Sequence, residues 1–175
     1  KDLCGLSVFV KDEDVVERTS KPKSIWIGPE FSSDSGKRAY KALLPGDTFD
    51  FPKSIDLIKN CIQIGMNQSG LILDFFAGSG TTAQAIFELN QLDGGSRKFI
   101  LVQMPEYLDH TVKEQKKAAL FCDEINKPRS IFEITKERVR RASKAIKENN
   151  PLFSYDLGFR VYRLDSSNIR PWDPA

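Results

Sequence analysis

The stretch from Leu71 to Ala83 constrains the fold of this chain more than any other. Its sequence, Leu-Ile-Leu-Asp-Phe-Phe-Ala-Gly-Ser-Gly-Thr-Thr-Ala, places an apolar run ending in Asp74 before a turn of small residues, and a helix-forming segment to about Asn90 follows at once. This order predicts a buried strand, a tight turn and a helix, the repeating unit of α/β proteins. Gly78 and Gly80 let the backbone bend sharply and leave room for a ligand.

The start of the predicted helix favours an anionic group. Thr81 and Thr82 are expected to satisfy unpaired backbone amides there, where the helix dipole attracts negative charge. A turn with a purely structural role is the alternative. The pattern as a whole predicts that a small, partly anionic ligand binds at this turn.

Three nucleotide-binding signatures compete for the turn. A phosphate-binding P-loop requires Lys after its last glycine, where this chain has Thr81. The dinucleotide signature G-x-G-x-x-G/A is satisfied by residues 78–83, but it requires an acidic residue after the next strand, where Gln103 stands. The third signature, Asp-x-Phe-x-Gly-x-Gly, is met in full by Asp74, Phe76, Gly78 and Gly80. It resembles motif I of the S-adenosylmethionine-dependent amino-methyltransferases.

Composition sets outer bounds on the function. A chain of 175 residues with 40% hydrophobic and 29% charged residues is typical of one soluble globular domain, and its net charge of +2 gives no global indication of nucleic-acid binding. Cys4, Cys61 and Cys122 are odd in number and widely spaced, which favours free thiols in a reducing cytosol over a zinc site. No apolar run approaches the roughly 18 residues of a membrane span, and no signal peptide is evident. We therefore expect a cytoplasmic protein without a membrane partner, and the absence of an initial Met favours a piece of a longer one.

Residues 1–48 differ from the rest of the chain. Short strands are predicted at Leu6–Val10 and Ser24–Ile27, and a short helix at Lys37–Leu44. Trp26 and Phe31 are available to stack on nucleic-acid bases. This segment is expected to be either the end of a target-recognition region for DNA or a surface appendage.

The next segment, Phe49-Asp-Phe-Pro-Lys-Ser54, introduces a second motif. Pro52 and Ser54 can open a helix that runs to about Ile64, because the isoleucines after them recur on one helical face. Placed some twenty residues before the glycine turn, the string Phe51-Pro-Lys-Ser54 resembles motif X of the same methyltransferases. In those enzymes this element closes over the methionine end of the cofactor.

The second half of the chain predicts one strand, two helices and an edge strand. The strand is Arg97–Gln103, parallel to the first, and helices are expected at about residues 112–126 and from Ser130 or Thr135 onwards. Alternating residues predict a half-exposed strand at Gly158–Leu164, and residues 166–175 are expected to form an irregular tail. The single histidine, His110, is expected in a surface loop.

The predicted helices of this half carry an excess of positive charge. From Lys113 to Asn149 there are eleven basic and six acidic side chains, with six of the basic ones in the last helix: Lys136, Arg138, Arg140, Arg141, Lys144 and Lys147. Such a surplus can bind DNA phosphates, and the alternative is a solvated helix face.

Four segments together resemble one family. They are Phe-Asp-Phe-Pro-Lys-Ser, Leu-Asp-Phe-Phe-Ala-Gly-Ser-Gly-Thr-Thr, Asp-Gly-Gly-Ser-Arg-Lys-Phe-Ile-Leu-Val-Gln-Met-Pro-Glu and Ile-Thr-Lys-Glu-Arg-Val-Arg-Arg-Ala. From about residue 24 to its end, the chain resembles the modification subunits of Type III restriction–modification systems, which are β-class adenine-N6 DNA methyltransferases. The resemblance implies part of a Rossmann-like α/β fold, a mostly parallel sheet flanked by helices, with residues 49–165 forming the S-adenosylmethionine-binding part.

The resemblance also implies which residues hold the cofactor. They are Phe51, Pro52, Lys53, Ser54, Asp74, Phe76, Ala77, Gly78, Ser79, Gly80, Thr81, Gln103 and Glu106. Related enzymes place an acid after the second strand, where it accepts hydrogen bonds from both ribose hydroxyls. Because Gln103 holds that place here, either its amide oxygen or the carboxylate of Glu106 is expected to make this contact.

The catalytic Asp-Pro-Pro-Tyr motif of the family is absent from the sequence. The nearest string is Asn150-Pro-Leu-Phe153, which makes Asn150, Pro151 and Phe153 the candidates for that role, although Leu152 replaces the second proline. The chain alone is therefore expected not to methylate DNA. Double-stranded DNA, a second copy of the protein and a restriction subunit are the implied partners, and no metal is implied.

Two other classes of function stay open. One is a nicotinamide-dependent oxidoreductase, on the turn sequence alone. The other is a non-catalytic DNA-binding or assembly module that keeps a methyltransferase-like fold.

Overall fold

The computed structural model describes residues 22–44, 47–151 and 156–164. After a short 3₁₀ helix at Pro29–Phe31, the elements are α1 (Ser33–Lys41), α2 (Ile55–Gly65), β1 (Ser69–Asp74), α3 (Thr81–Asp93), β2 (Ser96–Leu101), α4 (Lys116–Glu124) and α5 (Ile131–Asn149). The described part of the chain is thus a small α/β structure, as the sequence predicts.

The two strands are parallel neighbours joined by α3. Their register pairs Ser69 with Ser96 at one end and Asp74 with Leu101 at the other. Because parallel strands end at the same edge of a sheet, the turn after Asp74 lies beside the chain that leaves β2. Two backbone hydrogen bonds fix this contact, from Val102 N to Asp74 O (2.8 Å) and from Ala77 N to Val102 O (3.0 Å).

Helix α3 is buried on nearly all sides and forms the centre of the structure. On one side Ala85, Ile86 and Leu89 pack against Ile55 and Ile62 of α2. On the other side α3 packs against α5, through the buried residues Ala83, Phe87, Val139, Ala142 and Ile146. A helix that is buried all round holds its two ends in fixed positions, and the N-terminal end is where the glycine turn lies.

A third cluster links the N-terminal part of the structure to its C-terminal half. Tyr40 of α1 and Leu44 pack with Ala119 and Phe121 of α4 and with Ile134 of α5. Helix α1 is therefore part of the core rather than an isolated surface element.

One face of the sheet has no covering layer among the described residues. Leu71, Leu73 and Ile100 point to that face and are 58%, 49% and 47% exposed, whereas Ile72 and Phe99 on the opposite face pack against the helices. Parallel sheets are ordinarily covered on both faces, so two strands with one bare face form an incomplete sheet. A larger Rossmann-like sheet stays a prediction.

The predicted caps explain where two helices begin. Ser54 accepts a hydrogen bond from Leu57 N at 3.2 Å and opens α2, as predicted. Of the two caps considered for the last helix, Ser130 is the correct one, since its hydroxyl accepts from Phe132 N.

Two predicted strands are wrong. Ser24–Ile27 is irregular, with Ile25 and Ile27 exposed and Trp26 packed against Phe31 at a ring distance of 6.1 Å. Gly158–Leu164 is also irregular. A strand needs a neighbouring backbone for its hydrogen bonds, and the alternating pattern of a segment does not supply one.

Two predicted helix boundaries also shift. The helix expected at residues 37–44 lies at 33–41 because Ser32 caps it by accepting from Ser35 N. The helix expected from residue 112 begins only at Lys116, since Asp109 and Gln115 hold the preceding residues in turns. Residues 6–10 and 166–175 lie outside the described part.

In the part of the chain that the structure describes, no helix is both long and apolar enough to cross a membrane. Cys61 is exposed and Cys122 is buried, and both are free thiols, while Cys4 lies outside the described residues. Burial raises the pKa of the Cys122 thiol.

Candidate functional site

The turn between β1 and α3 depends on its two glycines. Gly78 and Gly80 have φ angles of +51° and +80°, in the left-handed region that glycine adopts without steric cost. A hydrogen bond from Gly80 N to Ala77 O (2.7 Å) closes the turn. Gly80 also stands at the N-cap position of α3, where no side chain caps the helix. The first-turn amides of α3 therefore have no side-chain acceptor, contrary to the prediction for Thr81 and Thr82.

Asp74 shapes this turn through both of its carboxylate oxygens. Oδ1 accepts from the backbone of Phe76 at 3.0 Å, and Oδ2 accepts from the hydroxyl of Thr82 at 2.6 Å. The side chain of Thr82 is thus committed to Asp74 rather than to the helix amides. Asp74 is half-buried and lines the cleft next to the turn.

Helix α5 supports the turn from behind. The hydroxyl of Thr135 donates to Gly78 O at 2.5 Å. A Cβ atom on Gly80 would lie 3.2 Å from Val139 and 3.3 Å from Thr135, so α5 fills the side-chain position of Gly80. A Cβ on Gly78 would instead meet the ring of Phe49 at 3.3 Å. The two glycines therefore serve different purposes, close packing at Gly80 and a close approach to Phe49 at Gly78.

Phe49 lines two open clefts, and the first of them lies beside the turn. The first has a volume of about 370 Å³ and is lined by Phe49, Lys53, Ile58, Asp74, Phe76, Ala77, Gly78, Ser79, Thr81 and Thr82. The second has a volume of about 300 Å³, and its lining includes Phe49, Asp50, Phe51, Glu106, Tyr107 and Glu114. Together they bring the three predicted segments, around residues 51–54, 74–81 and 106, to one side of the molecule.

The segment before α2 lies across these clefts. Pro52 is buried, and the ring of Phe51 is 72% exposed with the Lys37 ammonium 5.8 Å from its centre. Ser54 is 2% exposed, and its hydroxyl donates to Glu30 O at 2.5 Å while it caps α2. Of the predicted residues in this segment, Phe51 and Lys53 line a cleft, whereas Ser54 holds the segment in place.

Two residues of this region were missed by sequence reasoning. Phe49 lines both clefts, yet in the sequence it is only one of two aromatic residues in the string Phe-Asp-Phe-Pro-Lys-Ser. Gly36 is buried in α1, and a methyl group there would collide with the backbone of Pro52 and Lys53. A glycine inside a helix costs stability, so its presence in α1 was the available signal of a close contact.

The place after β2 is occupied by Gln103, and its side chain binds the glycine turn. Its Oε1 atom accepts from Gly78 N at 2.7 Å, and its Nε2 atom donates to Met104 O at 3.1 Å. Glu106 follows on an exposed loop that is tied to α5 through a hydrogen bond from Ile131 N to Glu106 O (3.2 Å). Its carboxylate side chain lines the second cleft.

The basic side chains of α5 do not all lie on one exposed surface of the helix. Arg138 is fully buried, so it belongs neither to a DNA-binding surface nor to a solvated helix face, the two alternatives for this helix. Four others lie in ion pairs along the helix, Lys136 with Glu133, Arg140 and Arg141 with Glu137, and Lys144 with Glu148. Asn150 and Pro151 follow the end of α5, Phe153 lies outside the described residues, and His110 is exposed as predicted.

No group of three or more His, Cys, Asp or Glu side chains within residues 22–44, 47–151 and 156–164 is arranged to hold a metal ion. The clefts are surrounded by aromatic faces, one ammonium group, carboxylates and helix amides.

Comparison of the sequence with known proteins identifies its family. The sequence profile of the DNA methylase family matches residues 7–114, more than half of the chain. The chain is 42% identical over 142 residues to the EcoPI Mod subunit, a Type III restriction–modification enzyme of Escherichia phage P1, which covers 80% of this chain and 21% of that protein.

Two further relatives have similar identities. The Type III Mod subunit StyLTI of Salmonella typhimurium is 39% identical over 133 residues, covering 76% of this chain and 19% of its own length. The Type II methyltransferase M.KpnI of Klebsiella pneumoniae is 38% identical over 96 residues, covering 55% of this chain and 23% of its own length. The chain thus spans about a fifth of the length of the curated relatives it matches. By the extent of the profile match, this chain belongs to the DNA methylase family.

Proposed function

We propose that this chain forms the S-adenosylmethionine-binding part of a site-specific DNA adenine-N6 methyltransferase of a restriction–modification system. The observation that carries the proposal is the pair of clefts around Phe49, bounded by the glycine turn on one side and by Glu106 on the other. Membership of the DNA methylase family and the similarity to Mod subunits support the same conclusion.

The chemistry of the first cleft suits the amino-acid end of the cofactor. Lys53 and the uncapped amides of α3 attract a carboxylate, while Asp74 attracts a cationic group. Gly78 leaves the space next to Phe49 that a larger residue would fill. When bound, S-adenosylmethionine supplies an activated methyl group on a sulfonium centre, so that its transfer requires no metal.

The second cleft suits the adenosine end. Phe49, Phe51 and Tyr107 offer aromatic surfaces for a base, and Glu106 offers a carboxylate for ribose hydroxyls. Gln103 is less suited to the ribose because its amide oxygen already accepts from Gly78 N. We therefore assign the ribose contact to Glu106 and the support of the turn to Gln103.

The same geometry argues against a nicotinamide-dependent oxidoreductase. Such enzymes hold the cofactor ribose through an acid at the end of the second strand, and here that place belongs to an amide engaged with the turn. A non-catalytic module with this fold would bind DNA or a partner without needing the methyl donor, and a cofactor titration separates it from the proposal.

The wider activity is proposed for the whole protein rather than for this part. Mod subunits are several times longer than this chain, so we place the catalytic residues, most of the DNA contacts and the assembly with a restriction subunit in the remainder. We also propose that residues 49–165 form the cofactor-binding part and that residues 1–48 adjoin a target-recognition region.

Calorimetric titration of the purified chain tests the proposal. S-adenosylhomocysteine, the demethylated cofactor, and S-adenosylmethionine are expected to bind with one site per chain, and NAD⁺ is expected not to bind. The variant that tests the position of the site is Gly78→Val, whose side chain fills the space beside Phe49 and is expected to weaken binding. NAD⁺ binding in place of the adenosyl ligands, or adenosyl binding that Gly78→Val leaves unchanged, would overturn the assignment.

A further inference from the structure

A buried arginine lies directly behind the glycine turn. Arg138 of α5 is 0% exposed, and its guanidinium donates to the hydroxyls of Ser79 (2.6 Å) and Thr81 (2.8 Å). It donates twice more to Oε1 of Gln84, at 3.1 and 2.9 Å. Ser79 and Thr81 in turn line the first cleft, so a single residue layer separates the charge of Arg138 from a bound ligand.

The hydrogen-bond acceptors around Arg138 are all neutral. Among the described residues, no carboxylate lies within ion-pair distance of the Arg138 guanidinium, and the guanidinium carbon lies 5.3 Å from the centre of the Tyr40 ring. A cation over an aromatic face is attracted by the ring without being neutralised. Burial lowers the pKa of Arg138 to about 10, which still leaves the side chain charged at neutral pH.

A second buried arginine, Arg97, differs from Arg138 in having a carboxylate partner. Arg97 in β2 is 5% exposed, and Asp93 accepts from it through both carboxylate oxygens, at 3.0 and 2.8 Å. The guanidinium of Arg97 holds the pKa of Asp93 below its usual value. Arg97 lies at the opposite end of α3 from the turn, and its charge is compensated. Arg138 has only an indirect partner of this kind: Gln84, which accepts from Arg138, donates in turn to Glu88 at 3.0 Å. Burying a charge that no carboxylate contacts is costly, which suggests that Arg138 has a role beyond packing.

We propose that Arg138 is a positioning residue of the cofactor site, which fixes the backbone of Ser79–Thr81 and supplies a positive charge that favours a carboxylate in the first cleft. The charge adds to that of the α3 amides and of Lys53, so three positive features converge on one cleft. The ligand class is an adenosyl amino acid, and this second part of the inference rests on the proposed function.

The positioning role is tested without any ligand. Hydrogen exchange of the Gly80 amide, which donates to Ala77 O and closes the turn, is compared in the parent chain, in Arg138→Met and in Arg97→Met. Exchange at the turn is expected to rise roughly tenfold or more in Arg138→Met, the effect of losing a charge-assisted hydrogen bond, and to stay unchanged in Arg97→Met. Unchanged exchange at the turn in Arg138→Met would overturn the proposal. If Arg138→Met does not fold, Arg138→Lys is used instead. Because lysine can donate to fewer acceptors, exchange at the turn is expected to rise in this variant too, but by less. Unchanged exchange in Arg138→Lys would then overturn the proposal.

The charge is tested with two ligands that share the adenosine end. S-adenosylhomocysteine carries the amino-acid group, and 5′-methylthioadenosine lacks its carboxylate and its ammonium; of the two groups, only the carboxylate is attracted by a positive charge. In Arg138→Met the affinity for S-adenosylhomocysteine is expected to fall about tenfold or more while that for methylthioadenosine changes little, and Arg138→Lys is expected to keep most of the difference. Equal losses for both ligands would overturn the charge role. If the parent chain binds neither, the proposed function fails, and the exchange measurement still decides the role of Arg138 in the turn.

Discussion

At the turn, two glycines of the same motif carry different constraints. Both have positive φ angles, so any other residue is strained there. The side-chain position of Gly80 faces Thr135 and Val139 of α5, whereas that of Gly78 faces Phe49 at the edge of the clefts. We therefore expect the first glycine to matter for ligand binding and the second for the packing of α3 on α5.

Alanine substitutions separate these two constraints. Gly80→Ala is expected to lower the free energy of unfolding by more than the roughly 1–2 kcal/mol of left-handed strain, because its methyl group also presses on α5. Gly94→Ala, at the C-terminal end of α3 with φ +68°, is the control for strain alone. Urea unfolding measures both. Equal losses at the two positions would contradict the packing role of Gly80.

Glu106 and Glu114 line the same cleft and provide a matched pair for the ribose contact. Glu106→Ala is expected to weaken S-adenosylhomocysteine binding about tenfold, the cost of losing a hydrogen bond to a charged acceptor, while Glu114→Ala leaves it unchanged. Titration calorimetry measures the affinity of both variants for S-adenosylhomocysteine. If the two variants bind equally well, Gln103 or water makes the contact in place of Glu106.

The sequence predicts the residues of the turn but not the residues that support it. Asp74, Gly78 and Gly80 form a local pattern whose strand, turn and helix are readable from neighbouring positions. From the sequence, Arg138 is one basic residue among several on a helix, although its partners in the turn lie 57 and 59 positions before it. Gln103 is predicted to contact the ribose, although its partner Gly78 lies 25 positions before it. Contacts between distant segments leave no periodic signal in a single sequence.

At the scale of elements, the strands and the longer helices follow from local patterns. The parallel pair, α2 with its Ser54 cap and α5 with its Ser130 cap agree with prediction. The segments at 24–27 and 158–164 have strand-like sequences without a paired backbone in the described structure. Their failure as predictions comes from the missing partner strands rather than from their own composition.

Because one face of the sheet is exposed, substituting an apolar residue on that face is expected to cost less stability than substituting one in the core. Leu73 of β1 is 49% exposed, whereas Ile86 of α3 is 1% exposed. In the isolated chain, Leu73→Thr is expected to change the free energy of unfolding by less than about 0.5 kcal/mol, and Ile86→Ala to lower it by about 2–5 kcal/mol. A large loss in Leu73→Thr would show that this face is covered, for example by self-association, which sedimentation velocity detects.

For the molecule as a whole, two observations bear on how much of a methyltransferase this chain represents: the share of its relatives that it covers and the size of its sheet. The chain spans about a fifth of its curated relatives, and its two-stranded sheet exposes apolar side chains that a complete domain would bury. If the proposed function is correct, a further part of the methyltransferase would cover this face and bring the substrate base to the cofactor.

Methyl transfer is consequently expected to be absent from this chain alone. The reaction needs an adenine held outside the DNA stack and aligned with the sulfonium, and the chain lacks the Asp-Pro-Pro-Tyr motif of the family it resembles. Incorporation of labelled methyl groups into DNA of mixed sequence measures this, with the chain alone and after addition of the remaining segment. Activity of the chain alone would redirect attention to Asn150, Pro151 and Phe153.

The central claim is that the turn between β1 and α3 binds an adenosyl amino acid. Its most direct test is a two-dimensional amide NMR titration of the ¹⁵N-labelled chain with S-adenosylhomocysteine. The amide signals of Gly78, Gly80 and Lys53 are expected to shift progressively, while those of Gly94 and Gly95, at the far end of α3, stay in place. Shifts confined to the far end, or no shifts at the turn at saturating ligand, would contradict the claim.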